Sequence, residues 1–445
     1  MRVGIIGAGA AGLAAAYDLA LAGIEVVVYE KASFVGGQAS TFDIESTPLE
    51  RGYHHLFTSD TDILSLMSEI GLSDRMEWHE SKVGIFHGGK IFNLVTPMDL
   101  LKFSPLSIID RIRMGIVTMI LKTKKDWKSL EHVTTDKWIK NWAGKRVYEV
   151  VWGPLLRGKF GDRHYKEIGM PWFWGKIHTR FASRGKSMTK ELLGYPKGSF
   201  SEIFDTLVEK IELMGGKVRL STGVKEIIIK DGKAVGLSVE SDSVSNKDRT
   251  EKFDIILSTT PSFVFPKLVP QMPKEYENRL LNVQYMSAVL IILILDRPIT
   301  NVYWLNVADR SIPFVGLIEH TNMIDSSVYG GKHVVYLSNY LNVDHPLYQM
   351  DHQELLAEYL PHINKINPDF DKSWIVKSYY HKVGAAQPII GVNYSQRIPA
   401  HRTPFESLYL ANTTQIYPED RGTNYSVRMG REVAKLLLKD YISSN

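Results

Sequence analysis

The chain of 445 residues contains no cysteine, and this absence removes several kinds of chemistry. Without thiols, the chain itself forms no disulfide, no nucleophilic thiolate, no thiolate zinc site and no iron–sulfur cluster. Long apolar runs are also missing. The most apolar stretch, residues 288–295, is far shorter than the ~20 residues needed to cross a bilayer. We therefore expect neither a disulfide-stapled scaffold nor a transmembrane span.

An excess of charge of one sign is missing as well. Lys and Arg number 53 against 49 Asp and Glu, which gives a formal net charge of +4. This mild basicity suits an anionic small molecule or a membrane surface, and it is far from the footprint of a nucleic-acid-binding protein. We expect no nucleic-acid partner. The length and the 44% hydrophobic content predict two globular domains.

The first forty residues contain a βαβ pattern built around three glycines. The pattern is an apolar strand, a glycine turn, a helix and a second apolar strand, at residues 3–6, 7–9, 10–22 and 24–29. Gly7 permits a tight turn, and Gly9 lets the backbone approach a pyrophosphate without an intervening Cβ. Gly12 lets the helix pack closely on the strand. The spacing predicts a dinucleotide-binding turn, with a glycine-rich turn of an ordinary α/β protein as the alternative.

The residues on either side of this turn support the same prediction. The helix N-terminus offers the N–H groups of Ala10 and Ala11, and a partial positive charge, to the phosphates. Glu30 ends the second strand about twenty positions after Gly7, where a carboxylate hydrogen-bonds a ribose hydroxyl.

The next segment indicates which dinucleotide binds. Lys31 is followed by Gly36, Gly37, Gln38 and Ala39. Here the chain resembles the flavoprotein superfamily of amine oxidases, protoporphyrinogen oxidases and phytoene-type carotenoid desaturases. In those proteins the glycine pair wraps the FAD pyrophosphate and ribityl chain. Arg usually follows the pair in amine oxidases, so Gln38 is closer to the desaturases. The resemblance implies FAD, and without cysteine we expect it to bind non-covalently.

Later segments match the same superfamily. The cofactor positions that the resemblance implies in them are Gly52, Tyr53, His54, Val224, Thr260, Asn412, Thr413, Asn424, Tyr425 and Ser426. Val224 would contact the adenine through its backbone, and a helix N-terminus near Asn424 would point at the flavin. The chain departs from the superfamily at Asn412 and Thr413, where Gly and Asp are usual. We expect a ribityl contact from either residue, with a weaker flavin site as the alternative.

The resemblance implies an α/β fold in which a Rossmann-like FAD-binding domain is interleaved with a substrate domain. We assign residues 1–95, 195–261 and 385–445 to the FAD-binding domain, and 96–194 and 262–384 to the substrate domain. The first part of the substrate domain is expected to be helical. The second alternates apolar strands with turns, which predicts a mostly antiparallel sheet.

Residues 98–125 are predicted to form a basic helix rich in Leu, Ile and Met. Such a helix can lie in a membrane interface, in which case the contact with the membrane is peripheral. The alternative is a helix that buries one side in its own domain and exposes the other. No secretory signal is expected, because the glycine fingerprint begins at residue 3. We therefore expect a cytoplasmic protein, with peripheral membrane contact left open.

Residues 136–180 are dense in aromatic side chains, which form either core or the wall of an apolar cavity. We assign Arg157, Lys159 and Trp172 to the substrate, because cations in such a cavity would suit an acidic group on a hydrophobic molecule. Lys197 is the candidate catalytic residue, by comparison with the lysine that holds a water near flavin N5 in amine oxidases. No metal site is expected, since the adjacent His54 and His55 would face opposite sides of a strand.

Three functions remain open. The first is an FAD-dependent oxidoreductase, in which flavin N5 accepts hydride from an isoprenoid, carotenoid-like, porphyrinogen or amine substrate. The second is a non-redox enzyme resembling UDP-galactopyranose mutase, in which Arg157, Arg163 and Arg180 would bind a diphosphate. The third is a flavin-binding protein without catalysis, suggested by Asn412 and Thr413. The substrate, the electron acceptor and the oligomeric state stay undetermined.

Overall fold

The computed structural model describes residues 1–183, 191–240 and 249–444. Its strands are, in chain order, β1 (Arg2–Ile6), β2 (Glu25–Tyr29), β3 (Thr41–Ile44), β4 (Thr47–Glu50), β5 (Leu56–Phe57), β6 (Met76–Glu80), β7 (Val83–His87), β8 (Lys90–Asn93), β9 (Leu192–Pro196), β10 (Lys217–Arg219), β11 (Val224–Lys230), β12 (Lys233–Val239), β13 (Arg249–Lys252), β14 (Ile255–Ser258), β15 (Tyr285–Leu295), β16 (Trp304–Val307), β17 (Gly316–Glu319), β18 (His333–Leu341), β19 (Ile375–Pro388) and β20 (Leu408–Leu410). Its helices are α1 (Ala10–Leu21), α2 (Thr61–Glu69), α3 (Pro97–Lys102), α4 (Ile108–Thr123), α5 (Thr135–Trp142), α6 (Lys145–Val147), α7 (Gly153–His164), α8 (Met170–Ala182), α9 (Ser199–Leu213), α10 (Phe265–Leu268), α11 (Lys274–Leu281), α12 (Pro346–Gln349), α13 (His352–Ile366) and α14 (Thr423–Ser444).

A parallel sheet in the order β10-β2-β1-β14-β20 carries the predicted βαβ unit. Helix α1 packs against α9 and α14 and is buried along most of its length. Its alanines allow this close packing: a Cβ added to Gly430 of α14 would stand only 2.2 Å from the carbonyl oxygen of Ala11. Because of this contact, the N-terminal half of α14 lies beside the glycine turn.

A second sheet has seven strands in the order β19-β15-β18-β17-β16-β7-β8. Its pairings are antiparallel except for β7 with β16, which confirms the mostly antiparallel prediction for residues 262–384. Ten of the eleven residues of β15 are buried, since helices and loops cover both faces of the sheet.

The division into two domains stays a proposal. The hairpin β7–β8, which we assigned to the FAD-binding domain, completes the edge of the seven-stranded sheet. This pairing indicates a boundary before Val83 rather than at residue 95. Residues 184–190, 241–248 and 445 of the assigned ranges lie outside the described residues.

The single helix predicted over residues 98–125 is wrong. The segment forms two helices, α3 and α4, which are separated by residues 103–107. Pro105 lacks an N–H and disfavours helical geometry in the residue before it. A new helix starts after Ser107, whose hydroxyl accepts a hydrogen bond from the Asp110 N–H at 3.2 Å. Neither of these helices, nor any other helix among the described residues, is long and apolar enough to cross a membrane.

Candidate functional site

The glycine turn before α1 leaves a strip of bare backbone. Gly7 has a φ of +107°, and a Cβ on Gly12 would lie 2.0 Å from the Gly7 carbonyl oxygen. Gly9 is different, because its added Cβ would meet only the Cα of Gly37, at an ordinary 3.8 Å. Gly9 also pairs with Gly36 in an isolated bridge. The glycine pair at 36–37 therefore faces the first turn, and the side of Gly9 that a Cβ would occupy is open.

Helix α1 begins at this strip. Gly9 is its N-cap, and within the described chain no side chain caps the helix and no acidic residue lies in its first turn. The N–H groups of the first turn, Ala10 and Ala11 among them, therefore lack the usual side-chain acceptor. A cradle of glycine backbone at an uncapped helix N-terminus fits the pyrophosphate of a dinucleotide.

Glu30 directly follows β2 and forms hydrogen bonds with the backbone of the turn. Its carboxylate accepts hydrogen bonds from the N–H of Ala8 and of Ala32, each at 2.9 Å. Each oxygen retains a further lone pair that a ribose hydroxyl would use. Lys31 is exposed beside it, while Val224 begins β11 half-buried against a core that includes Tyr29.

The side-chain amide of Asn412 forms its hydrogen bonds within the protein. Its Nδ2 donates to the Thr260 carbonyl at 2.9 Å, and its Oδ1 accepts from the N–H of Thr414 at 3.1 Å and from the Thr414 hydroxyl at 2.7 Å. The side chain thus ties the ends of β14 and β20 together. Because both ends of its amide are occupied, the geometry does not favour the expected ribityl contact from Asn412. Thr413 follows it half-buried.

A cavity of about 210 Å³ lies next to these residues. The predicted cofactor and substrate residues that line it are Gln38, Gly52, Tyr53, His54, Lys159, Asn424 and Tyr425. Ala288, Leu290, Trp304 and Val383 of the seven-stranded sheet and its neighbours form an apolar wall. The first turn of α14 forms another part of the lining, so the N-terminus of this helix faces the cavity.

Hydrogen bonds hold several lining residues in place. The Gln38 side chain donates to the Ala385 carbonyl at 2.8 Å. Asn424 accepts from the N–H of Asp62 and of Ile63 at the start of α2. The Tyr425 hydroxyl lies 3.1 Å from that of Thr179. Ala39 is buried behind Gln38, and Ser426 is half-buried in the first turn of α14.

Cations from separate elements meet at one end of the cavity. Lys159 of α7 and Lys176 of α8 contact the same oxygen of Asp420, at 2.9 Å and 3.0 Å. The indole N–H of Trp172 donates to the other oxygen at 2.9 Å. Burial alone would raise the pKa of Asp420, but Lys159, Lys176 and Arg421 hold it well below its usual range. Asp420 is therefore ionised and shared between two cations.

Arg421 and Arg180 line the same end. Arg421 donates to the Tyr340 hydroxyl at 3.2 Å, and its buried Nε has no hydrogen-bond partner within the described part of the chain. Burial tends to raise the pKa of Tyr340, yet Lys159 and Arg421 bring it below its ordinary value. A buried donor without an acceptor among the described residues, in a cation-rich lining, would suit an anionic ligand group.

The two histidines of the lining are neutral. Burial lowers the pKa of His54 to about 4, and burial together with Arg180 lowers that of His55 to about 3. His54 Nδ1 lies 2.6 Å from the Gly52 carbonyl, so this nitrogen carries the proton and Nε2 is left as an acceptor. Among the described residues, no group of three or more metal-ligating side chains exists.

Some predicted residues lie outside the cavity. Arg157 pairs with Asp162 at 2.9 Å, Arg163 pairs with Asp344 at 3.0 Å, and neither lines the cavity. Trp172 is buried and does not line the cavity, but it donates to Asp420 and its ring lies 5.7 Å from Lys159 Nζ and 6.0 Å from Lys176 Nζ. Lys197 is exposed on the turn before α9 and does not reach the lining.

The sequence reasoning named Arg180 only for the diphosphate alternative, and it missed Lys176, Asp420 and Arg421 at the cationic end of the lining. One signal would have found Lys176. Lys176 and Arg180 are four positions apart in a helix with an aromatic-rich start, and such a pair shares one face of the helix. Nothing local marks Asp420 or Arg421, because the residues they contact are distant along the chain.

Comparisons with known proteins agree with this geometry. A model of the family described as flavin containing amine oxidoreductase matches residues 10–438. The chain is 27% identical over 292 residues to the mitochondrial protoporphyrinogen oxidase of Nicotiana tabacum, covering 58% of each protein. It is 24% identical over 322 residues to 15-cis-phytoene desaturase of Synechococcus elongatus, covering 68% of this chain and 67% of the relative.

Solved structures show the same fold. An oxidoreductase from Methanosarcina mazei superposes with a TM-score of 0.75 at 19% identity, covering 98% of this chain and all of that one. Reduced UDP-galactopyranose mutase gives 0.74 at 15% identity, covering 98% and 95%. Identities this low concern the fold alone. The family model spans nearly the whole chain, from the first residue of α1 to a point within α14. The chain therefore belongs to the flavin-containing amine oxidoreductase family and is an FAD-dependent oxidoreductase.

Proposed function

We propose that the protein oxidises a hydrophobic small molecule that carries an acidic group. The observation that carries this proposal is the two-sided cavity, with an apolar wall from Leu290, Trp304 and Val383 and a cationic end in which Arg421 Nε has no acceptor among the residues that the structure describes. The relatives named for porphyrinogen and phytoene support a hydrophobic substrate. Bound FAD would supply the hydride acceptor, at flavin N5.

In this proposal the residues of the protein bind the cofactor and the substrate and hold them in orientation. The glycine turn and the N-terminus of α1 hold the pyrophosphate, and Glu30 holds the ribose. The apolar wall receives the hydrophobic body of the substrate and excludes water from it. Lys176, Arg180 and Arg421 bind the acidic group, with Asp420 keeping Lys176 in position. Tyr53, His54 and Asn424 line the same cavity.

The test compares acids with their neutral esters. Anaerobic flavin reduction is followed with isoprenoid and porphyrinogen carboxylic acids and with the methyl ester of each. We expect at least one acid to bleach the oxidised flavin at least tenfold faster than its ester. Because a charge-assisted hydrogen bond is lost, Arg421→Gln should lower kcat/KM for the acid about 10- to 100-fold and leave the ester nearly unchanged.

Arg157→Gln is the matched control. This arginine lies on α7, pairs with Asp162 and is not part of the lining. It should leave both rates unchanged. Equal reduction by acid and ester, or equal losses in the two variants, would contradict the proposed acid-binding end.

The likeness to UDP-galactopyranose mutase keeps a second candidate in view. In that case the cationic end of the cavity in this protein would bind a diphosphate. Only Arg180 of the three arginines assigned to that role lines the cavity, which makes this candidate weaker. Conversion of UDP-galactopyranose by the dithionite-reduced protein, without net flavin oxidation, would favour it over the first. Family membership sets aside the third hypothesis, a flavin-binding protein without catalysis.

A further inference from the structure

Asp60 precedes helix α2 at the position where a side chain usually caps a helix. It is the N-cap residue of α2, yet its side chain forms no capping hydrogen bond. Instead, its Oδ2 atom accepts a hydrogen bond from the backbone N–H of Phe57, at 2.8 Å. The carboxylate of Asp60 is therefore turned away from the N–H groups that an N-cap aspartate normally serves.

A residue of α14 serves these N–H groups in its place. The Oδ1 atom of Asn424 accepts from the N–H of Asp62 at 2.9 Å and from the N–H of Ile63 at 3.0 Å. Because this contact caps α2 from outside the helix, the carboxylate of Asp60 is not needed there. Asn424 is also one of the residues that we assign to the flavin. Asp60 is only two positions before Asp62, so it lies close to the expected cofactor site.

The carboxylate of Asp60 is part of the cavity lining, although the residue is only 6% exposed. One of its oxygens is held by the N–H of Phe57. Within the described part of the chain, no group donates a hydrogen bond to the other oxygen, Oδ1. This oxygen is therefore left for a ligand in the cavity, while the first one fixes the orientation of the carboxylate.

The surroundings of Asp60 favour the uptake of a proton. Burial raises its pKa to about 6, against the opposing effect of the Phe57 N–H. Asp62 adds to this rise, whereas Arg428 of α14 and Lys176 of α8 oppose it. At pH 7 the side chain is mostly ionised, and it accepts a proton more readily than an ordinary surface aspartate does. A general base works best with a pKa near the working pH.

Other acid–base groups of the lining are poorer acceptors. The pKa of His54 is about 4 and that of His55 about 3, so both rings are weak bases. Both oxygens of Asp420 are occupied, and the hydroxyl of Tyr340 accepts a hydrogen bond from a guanidinium. Burial raises the pKa of Tyr425 to about 12, so this hydroxyl keeps its proton.

We propose that Asp60 is the general base of the oxidation and accepts the proton that the substrate loses. The inference rests on the proposed function, because it needs a substrate that is oxidised in this cavity. It does not need that substrate to carry an acidic group. Asp60 would then be a catalytic residue, and Asn424 would be the residue that releases it from capping α2.

The proposed step balances in atoms and electrons. The substrate loses a hydride and a proton from neighbouring atoms. The hydride leaves with the electron pair of its C–H bond and is accepted at flavin N5. Oδ1 of Asp60 takes the proton, and the electron pair of that second bond forms the new double bond of the product. The carboxylic acid then returns its proton to water, which restores the carboxylate.

Asp60→Asn tests the step because an amide keeps the structural contact. Its carbonyl oxygen can still accept from the Phe57 N–H, but it takes up no proton. We expect anaerobic flavin reduction by the substrate to slow about 100- to 10,000-fold. In the wild type, kcat/KM should fall as the pH drops below about 6, because the base becomes protonated. This fall should be missing in Asp60→Asn.

Asp62→Asn is the matched control. This carboxylate pairs with Arg428 at 2.8 Å and does not line the cavity. The variant should keep the fall of kcat/KM at low pH. Because Asp62 helps to raise the pKa of Asp60, its loss should move this fall to lower pH. Flavin content and thermal melting check that both variants are folded.

Infrared difference spectroscopy follows the carboxyl without any substrate. The FAD-loaded wild type minus Asp60→Asn should show a carboxyl group that titrates near pH 6. Absence of this signal would overturn the proposal, and so would an Asp60→Asn protein that reduces its flavin as fast as the wild type. Failure of the proposed function has a different mark, since no acid and no ester would then reduce the wild-type flavin. In that case the pH profile with amines, which also lose a hydride and a proton, decides on Asp60.

Discussion

The glycine turn and the cationic end of the cavity are built in opposite ways. The turn uses backbone atoms from residues 7–37, which are close in sequence, and a single carboxylate, Glu30. The cationic end uses charged side chains from α7, α8 and the segment before α14. In the first region a glycine pattern determines the geometry. At the cationic end the geometry depends on how elements that are distant in sequence pack together. Its stability depends on buried positive and negative charges that balance each other.

The largest expected effect separates two glycines of the turn. Gly12→Val should destabilise the fold by more than about 4 kcal/mol, because its Cβ would meet the Gly7 carbonyl at 2.0 Å. Gly9→Val should remain folded but lose FAD, because the side chain would enter the space of the pyrophosphate. Thermal melting of the apoproteins and flavin retention on a desalting column measure the two effects.

Two results would contradict this division of roles. A Gly9→Val protein that retains its flavin would remove the argument for the pyrophosphate. A Gly12→Val protein that melts like the wild type would mean that α1 can shift without a loss in the free energy of unfolding. Gly23→Ala is a control for general glycine effects, as nothing lies within 4 Å of its added Cβ, although its φ of +77° carries a small local cost.

A smaller effect is expected at the cationic end. Asp420→Asn leaves Lys159 and Lys176 without their shared carboxylate, in a site where the Asp420 side chain is only 9% exposed. We expect a loss of about 3 kcal/mol, as for removal of one partner of a buried ion pair. Urea unfolding of the apoprotein at pH 7 measures it. Asp162→Asn, which breaks the exposed pair with Arg157, should cost under about 1 kcal/mol, and equal losses would contradict the contrast.

The smallest effect concerns a buried acid of β4, Glu50. Glu50 is fully buried, and burial raises its pKa to about 7 although Phe200 N–H and the Tyr195 hydroxyl donate to it. In the unfolded chain its pKa is lower, so the folded state binds more protons between these values. The contribution of Glu50 to the free energy of unfolding is therefore lowest above pH 7. It rises as the pH falls, by about 2 kcal/mol between pH 8 and pH 5.5.

Glu50→Gln tests this pH dependence, because an amide cannot titrate. The wild-type minus variant difference in the free energy of unfolding should become more favourable to the wild type on acidification. Glu319 has a raised pKa as well, and the difference between the two proteins removes its contribution. The exposed Glu209→Gln is the control for the carboxylate-to-amide substitution itself. A pH-independent difference for Glu50→Gln would show that this carboxyl is ionised throughout.

Prediction from sequence succeeded where the information was local. The βαβ unit and the antiparallel sheet of residues 262–384 were predicted from strand, turn and helix patterns. It failed at residues 98–125, where Pro105 interrupts an otherwise helical composition. It also assigned Arg157 and Trp172 to the substrate from their positions in an aromatic segment, although neither lines the cavity.

The sequence by itself determined the fold family and the cofactor turn, because glycine geometry and a helix N-terminus act over a few residues. Only the tertiary structure decided which cations surround the cavity. Lys159 and Asp420 are 261 positions apart, and their contact depends on how α7 and the segment before α14 pack. The tertiary structure also decided which face of α4 stays uncovered, since an amphipathic pattern alone does not say which apolar side finds the core.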